Sequence, residues 1–171
     1  AGTPLLSDPG RFLVNECIKN EIQVVPIPGV SSITSAVSVS GFKEQFLFYG
    51  FLPKTLKELE KVLNILSQIK ISQVFFIPSR KINFYIKNFK NFFSGRKILI
   101  AREITKIHES FIRSDIDNLE IFKDPIKGEL TVVVSEDEIL TKKFDEKKIV
   151  NKVKKYLKKY SLKDIDNLEI F

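Results

Sequence analysis

The stretch Gln73–Ala101, QVFFIPSRKINFYIKNFKNFFSGRKILIA, decides the fold class of this chain. Gln73–Ile77 and Lys97–Ala101 are short apolar runs, and each predicts a buried strand. Between them, Lys81–Phe93 carries apolar side chains at helical spacing. A strand, a helix and a second strand in this order predict an α/β fold, with helices on the faces of a sheet.

The same alternation continues on both sides of this stretch. Further helices are predicted over Pro9–Asn20, Ser31–Ser40, Leu56–Ile69 and Ser114–Phe122. Further strands are predicted over Ile22–Ile27, Phe46–Phe51 and Leu130–Ser135. Ser7 and Asp8 precede the first helix and are expected to cap it. The composition changes within Phe42–Lys54, where we expect a boundary between two lobes.

The composition predicts a folded protein. Of the 171 residues, 43% are apolar and 15 are Phe, which argues against disorder. The apolar runs are too short for a membrane helix, which needs about 20 residues. Cys17 is the only cysteine, so a cytoplasmic location is expected. The chain has no Met and opens on a turn sequence, so we expect a piece of a longer protein.

Positive charge is concentrated near the carboxyl end of the chain. The stretch Lys142–Lys163 contains ten Lys against Asp145 and Glu146, within a chain whose net charge is +7. Apolar residues recur between these lysines at helical spacing, which predicts an amphipathic helix. Its basic face could follow a phosphate backbone, or it could simply be a solvated face.

Four polar clusters are candidate ligand sites. They begin at Ala1, AGTPLLSDPG; at Pro26, PIPGVSS; at Arg102, REITKIHE; and at Lys127, KGELT. The first two could equally be structural turns. The third is more polar than a connecting loop requires and follows a strand, and ligands of open α/β sheets bind at the carboxyl ends of strands. His108 is the only histidine, so the sequence predicts no metal site. Phosphate-loop, dinucleotide and serine hydrolase signatures are absent.

Taken in order, these clusters resemble the tetrapyrrole methylase superfamily. The matching segments are AGTPLLSDPG, VVPIPGVSSITSAVSVSG, FLFYGFLPK, REITKIHE and KGE. The GFLPK and REITKIHE segments are similar to one branch in particular, the bacterial 16S ribosomal RNA cytidine 2'-O-methyltransferases. The resemblance covers residues 1–135.

The resemblance implies a two-lobed α/β fold with S-adenosylmethionine bound in a cleft between the lobes, and a homodimer. The family begins with a strand, a glycine-rich turn and a Glu-Asp-Thr-Arg block that this sequence lacks. We therefore expect residues 1–41 to be a remnant of the first lobe, which is otherwise mostly missing. Residues 42–135 would form the second lobe, a mixed sheet with flanking helices, and residues 136–171 a basic helical extension. With so much of the first lobe missing, we expect this piece alone to be inactive or poorly folded.

The resemblance also implies roles for individual residues. The residues expected to bind the cofactor are Gly2, Thr3, Pro4, Pro28, Gly29, Ser31, Ser32, Gly128, Glu129, Leu130 and Thr131. The residues expected to face the RNA are Arg80, Arg102 and His108. Glu103 and Lys106 are the catalytic candidates, Glu103 for handling a proton or orienting a base, and Lys106 or Arg102 for holding phosphate. Alternatively, Glu103 and Arg102 form a structural pair.

The implied function is S-adenosylmethionine-dependent 2'-O-methylation of a cytidine in 16S ribosomal RNA, with the small ribosomal subunit as partner and no membrane. Two alternatives remain. One is a methyltransferase for a tetrapyrrole or another small molecule, and the other is a non-catalytic RNA-binding fragment. The family's Glu-x-Pro-x-Arg segment reads Phe76-Ile77-Pro78-Ser79-Arg80 here, so its acidic residue is absent.

Overall fold

A computed structural model describes residues 3–137 of the chain. Its helices are α1 (Arg11–Lys19), α2 (Ser32–Ser38), α3 (Leu56–Ser67) and α4 (Ile82–Phe92), with a 3-10 turn at Ser79–Lys81. Its strands are β1 (Phe46–Phe51), β2 (Ser72–Pro78), β3 (Lys97–Arg102), β4 (Ser110–Asp115) and β5 (Glu129–Val134). The predicted α/β class with a mixed sheet and flanking helices is confirmed. The basic segment 142–163 and the expected extension over 136–171 lie outside the described residues, apart from 136 and 137.

The five strands form one sheet in the order β1-β2-β5-β3-β4. β1 and β2 are parallel, whereas β5 runs antiparallel to both of its neighbours, β2 and β3. Because β5 is reversed, its first residues lie at the edge of the sheet where β2 and β3 end. This edge collects the residues that follow two strands and those that begin a third.

Both faces of the sheet are covered, which explains why the central strands β2, β5 and β3 are mostly apolar and buried. Successive side chains of a strand point to opposite faces. In β3, Ile98 and Ile100 pack with α3 and α4, while Leu99 and Ala101 pack with α2. α2 is short but contributes buried side chains, including Ala36, which is fully buried.

The predicted strand Ile22–Ile27 is not formed. A strand needs a neighbour to accept and donate its backbone hydrogen bonds, and no described strand lies beside this segment. The preceding helix, α1, buries none of its side chains within the described part of the chain, and Phe12 is 79% exposed. The apolar pattern of residues 11–27 therefore has no packing partner among residues 3–137.

Two further predictions about local structure are wrong. Gly10 precedes α1 as its N-cap, not Ser7 or Asp8, and Ser7 takes a left-handed backbone conformation. The predicted helix Ser114–Phe122 is instead the end of β4 followed by a turn. Pairing of Ile98 with Ser114 extends the sheet here, and the Ile116 amide then donates to the Arg96 carbonyl at 2.9 Å.

Candidate functional site

A cleft of about 710 Å³ opens at the edge of the sheet where β2 and β3 end and β5 begins. We call it the strand-edge cleft. Residues 3, 6–8, 30–33 and 35 complete its wall. Its volume lies within the range of roughly 300–1,000 Å³ that is typical of small-molecule sites.

All four polar clusters contribute residues to the strand-edge cleft, the second of them only through its end, residues 30–32. Of the predicted cofactor and catalytic residues, those that line it are Thr3, Ser31, Ser32, Lys106, Gly128, Glu129, Leu130 and Thr131. These residues are separated by up to 128 positions in the sequence, and the sheet brings them together because β5 is inserted between β2 and β3.

Hydrogen bonds of Glu103 join the turn that follows β3 to the start of β5. Its carboxylate Oε1 accepts a hydrogen bond from the Glu129 amide at 2.8 Å. Its own amide donates to the Glu129 carbonyl at 3.0 Å. Glu103 has a φ of 50° and Thr105 a φ of 66°, a conformation that side chains other than glycine rarely adopt. Such strain persists only where surrounding contacts hold it.

Gly128 allows the Glu103 side chain to lie close to the backbone before β5. Its φ is 101°, and a Cβ at this position would lie 2.5 Å from Cγ of Glu103. Only glycine has both the conformational freedom and the absence of a side chain that the position requires. The KGE segment therefore has a specific structural reason for its glycine.

Lys106 bridges Glu129, which lines the cleft, and Glu103, which does not. Its Nζ lies 2.9 Å from Oε2 of Glu129 and 3.2 Å from Oε1 of Glu103. Hydrogen bonds to Glu129 and to Glu103 raise the pKa of Lys106. The hydrogen bond from the Glu129 amide, followed by that from Lys106, lowers the pKa of Glu103. Lys106 is therefore a cation and Glu103 an anion at neutral pH.

Other predicted site residues do not line the strand-edge cleft. They are Pro4, Pro28, Gly29, Arg80, Arg102, Glu103 and His108. Gly2 lies outside the described residues. Glu103 supports the cleft from behind Gly128, and Arg102 holds the Lys127 carbonyl through its Nε at 2.8 Å. His108 is exposed on the turn after β3.

Sequence reasoning missed the apolar wall of the cleft. Phe51, Phe76 and Ile77 come from the ends of β1 and β2, and Phe51 contacts Phe76 with ring centroids 5.5 Å apart. A signal was present, because the carboxyl ends of strands are where α/β proteins bind ligands. In the sequence, however, aromatic residues within a strand are expected to belong to the hydrophobic core, so they do not indicate a ligand site.

A second cavity, of about 400 Å³, lies at the opposite edge of the sheet. Lys97, Arg113, Asp115 and Glu136 line it with charges of both signs, and it contains none of the predicted site residues. Buried Glu136 accepts hydrogen bonds there from the Ser72 hydroxyl and the Lys43 amide. Its carboxylate is thus used to hold the chain together.

Within the described part of the chain, no helix is long and apolar enough to cross a membrane. Among the same residues, no group of three or more His, Cys, Asp or Glu side chains is placed to hold a metal ion.

Comparison with solved structures places the fold in a known class of methyltransferases. The methyltransferase CobJ superimposes with a TM-score of 0.59 at 17% identity, over 80% of this chain and 62% of CobJ. The cobalt precorrin-4 methyltransferase CbiF gives 0.55 at 14% identity, over 78% of this chain and 61% of that chain. Uroporphyrin-III C-methyltransferase from Thermus thermophilus, complexed with S-adenyl homocysteine, gives 0.51 at 13% identity, over 79% and 63%. These likenesses establish an α/β fold of the type found in corrin and porphyrin methyltransferases.

Residues 1–120 match the family Tetrapyrrole (Corrin/Porphyrin) Methylases, and the chain belongs to this family. Ribosomal RNA small subunit methyltransferase I of Rickettsia prowazekii is 40% identical over 139 residues, which are 79% of this chain and 49% of that protein. The protein of the same name from Thermotoga maritima is also 40% identical over 139 residues, covering 79% and 62%. This chain thus spans about half to three fifths of the length of these relatives. The predicted resemblance to the tetrapyrrole methylases is confirmed.

Proposed function

We propose that these residues belong to an S-adenosylmethionine-dependent methyltransferase that modifies small-subunit ribosomal RNA at the ribose 2'-oxygen of a cytidine. The observation that carries the proposal is the convergence of Thr3, Ser31, Lys106 and the segment 128–131 on one cleft. The 40% identity to relatives named ribosomal RNA small subunit methyltransferase I supports RNA as the acceptor.

The lining of the strand-edge cleft fits S-adenosylmethionine. Hydroxyl groups of Ser31, Ser32 and Thr131 can meet the polar parts of the cofactor, and Phe51 and Phe76 offer apolar surface to an adenine ring. Aromatic and apolar walls with a few polar groups are the usual composition of small-molecule sites. When bound, S-adenosylmethionine would supply an electrophilic methyl group to the acceptor oxygen.

The chain itself contributes orientation and charge. Lys106 is a cation at neutral pH and lines the cleft, so it can hold a phosphate next to the acceptor ribose. Glu103 is an anion whose Oε1 already accepts two hydrogen bonds, so orienting Lys106 suits it better than taking a proton. Glu103 is therefore a positioning residue and Lys106 the group that contacts substrate. Fixing the acceptor in this way lowers the entropic barrier to transfer.

Two measurements test the proposal. Calorimetric titration of S-adenosylmethionine into the chain should show micromolar binding, about −8 kcal/mol, and such binding would overturn the expectation that this piece alone is inactive. Tritiated S-adenosylmethionine should label small ribosomal subunits, and nuclease digestion should release the label as 2'-O-methylcytidine. Removing the charge in Lys106→Met should lower the transfer rate by about 100-fold and leave cofactor affinity within about twofold. Label recovered on a base, or on a tetrapyrrole but not on RNA, would contradict the proposal.

A further inference from the structure

A row of cations lies along the edge of the sheet that contains the strand-edge cleft. Its members follow or precede neighbouring strands: Lys54 comes after β1, Arg80 and Lys81 after β2, Lys127 before β5, and Arg102 at the end of β3. We call these five residues the cation row. Neighbouring strands are about 4.8 Å apart, so four strands spread the row over roughly 14 Å.

Backbone contacts hold neighbouring members of the row side by side. Nζ of Lys81 donates to the Lys54 carbonyl at 3.4 Å, and Nε of Arg102 donates to the Lys127 carbonyl at 2.8 Å. Both contacts use carbonyl groups, which do not neutralise the charges. Arg102 also feels the Glu103 carboxylate, whose pKa it helps to lower, although the two do not form an ion pair within 4.0 Å. Like charges kept close together repel each other, and the repulsion is relieved when an anion binds between them.

Acidic residues near the row are occupied elsewhere. Among residues 3–137 the ion pairs are Lys19 with Glu16 and Lys106 with its two glutamates, so no member of the row has a carboxylate within 4.0 Å. Glu58 accepts from the Thr55 hydroxyl. Lys54, Arg80, Lys81 and Lys127 are exposed to solvent, and Arg102 is half-buried.

We infer that the cation row binds the phosphate backbone of the RNA substrate and lays the strand across the mouth of the strand-edge cleft. This rests on the proposed function and adds Lys54, Lys81 and Lys127 to the arginines already expected to face RNA. A polyanion fits the row better than a single phosphate does, because its charges extend over four strands. The row carries no base-reading geometry, so its part is to position the strand and not to select its sequence.

The experiment compares RNA affinity between the triple variant Lys54→Gln, Lys81→Gln, Lys127→Gln and a matched control. The control variant is Lys43→Gln, Lys70→Gln, Lys97→Gln, whose lysines are also exposed but lie at the opposite edge of the sheet. Lys43 and Lys70 precede β1 and β2, and Lys97 is the first residue of β3. Each protein is titrated with a 16S ribosomal RNA transcript at several salt concentrations. The lysines of segment 142–163 are present in all three proteins, so only differences between proteins count.

The triple variant should show a salt dependence shallower by about 2 in the slope of log affinity against log salt, since each lost contact to single-stranded RNA removes about 0.7. Its affinity at low salt should fall by roughly tenfold or more. The control should keep the wild-type slope. Equal slopes for wild type and triple variant, or an equal loss in the control, would overturn the inference.

Two parallel measurements separate the possible failures. Polyglutamate serves as an acidic-protein probe, and a larger loss of binding to it than to RNA would assign the row to a protein partner and overturn the inference. Methyl transfer to small subunits is measured on the same proteins. If the wild type transfers methyl groups but the triple variant keeps the RNA affinity of the wild type, the inference about the cation row is refuted and the proposed function is not. Loss of RNA affinity confined to the triple variant supports the row, whereas a folded wild type that neither binds S-adenosylmethionine nor transfers methyl groups refutes the proposed function.

Discussion

Glu103 and Glu129 exchange hydrogen bonds in both directions. The Glu129 amide donates to the Glu103 carboxylate at 2.8 Å, and the Glu103 amide donates to the Glu129 carbonyl at 3.0 Å. This reciprocal pair joins the turn after β3 to the first residue of β5, and it places Lys106 at the strand-edge cleft. The sequence suggests Glu103 for handling a proton or orienting a base, and in the structure its hydrogen bonds also join these two segments.

Gly128→Ala should destabilise the protein more than a glycine substitution elsewhere. The new Cβ would lie 2.5 Å from Cγ of Glu103, in addition to the strain of a positive φ. We expect a loss of about 2–4 kcal/mol in the free energy of unfolding, measured with urea. Gly95→Ala is the matched control, because Gly95 also has a positive φ, 82°, but open space around its Cα. An equal loss in both variants would show that the contact with Glu103 carries no cost.

The contribution of Glu103 to stability should depend on pH. Its pKa in the folded protein lies below its ordinary value of 4.5, so its stabilising effect is fully present above pH 4.5 and is lost as the pH falls through the lowered pKa. The difference in unfolding free energy between wild type and Glu103→Gln should therefore be constant near neutral pH and shrink in acid. Glu120→Gln provides the control, since Glu120 is exposed and makes no hydrogen bond within the described residues. A difference that grows as the pH falls would contradict the assignment.

Filling the strand-edge cleft should block the cofactor. Ser32 and Ser38 are both exposed residues of α2, but only Ser32 lines the cleft. Ser32→Phe should weaken the binding of S-adenosylhomocysteine by about tenfold or more, or roughly 1.4 kcal/mol, as measured by calorimetry. Ser38→Phe should bind as the wild type does. Comparable affinities for the two variants would place the cofactor elsewhere.

Asn83 should stabilise the segment that leads from β4 towards the cleft. Its side chain donates to the Phe122 carbonyl at 2.8 Å and accepts from the Phe122 amide at 2.9 Å. Asn83→Ala removes both bonds and should cost about 1–3 kcal/mol in urea unfolding. Asn91→Ala is the control, because Asn91 is an exposed residue of the same helix and its substitution changes helix propensity by the same amount. It should be neutral or slightly stabilising. Equal effects at the two positions would mean that the pair with Phe122 contributes nothing.

The sequence predicted the parts of the fold that depend on local pattern. The strands at residues 46–51, 72–78 and 97–102 and the helices α3 and α4 lie where apolar periodicity places them, because burial on one or both faces dictates that periodicity. The strand at Ile22–Ile27 failed since a strand also requires a partner, which periodicity cannot reveal. The helix at Ser114–Phe122 failed because pairing with β3 outweighed the local preference.

For the candidate site, the sequence supplied the residue types, and their family resemblance supplied the expected roles. The family resemblance of the motifs, taken in order, implied that Thr3, Ser31, Lys106 and Gly128 belong to one site. Glycine and small hydroxyl residues are also typical of turns that hold ligands. Their assembly into one cleft was decided by tertiary structure, through the reversed insertion of β5 between β2 and β3. The contact of Gly128 with Glu103 and the alignment of the cation row arise in the same way. Such relationships join residues far apart in the chain, and they exist only once strand order and direction are fixed.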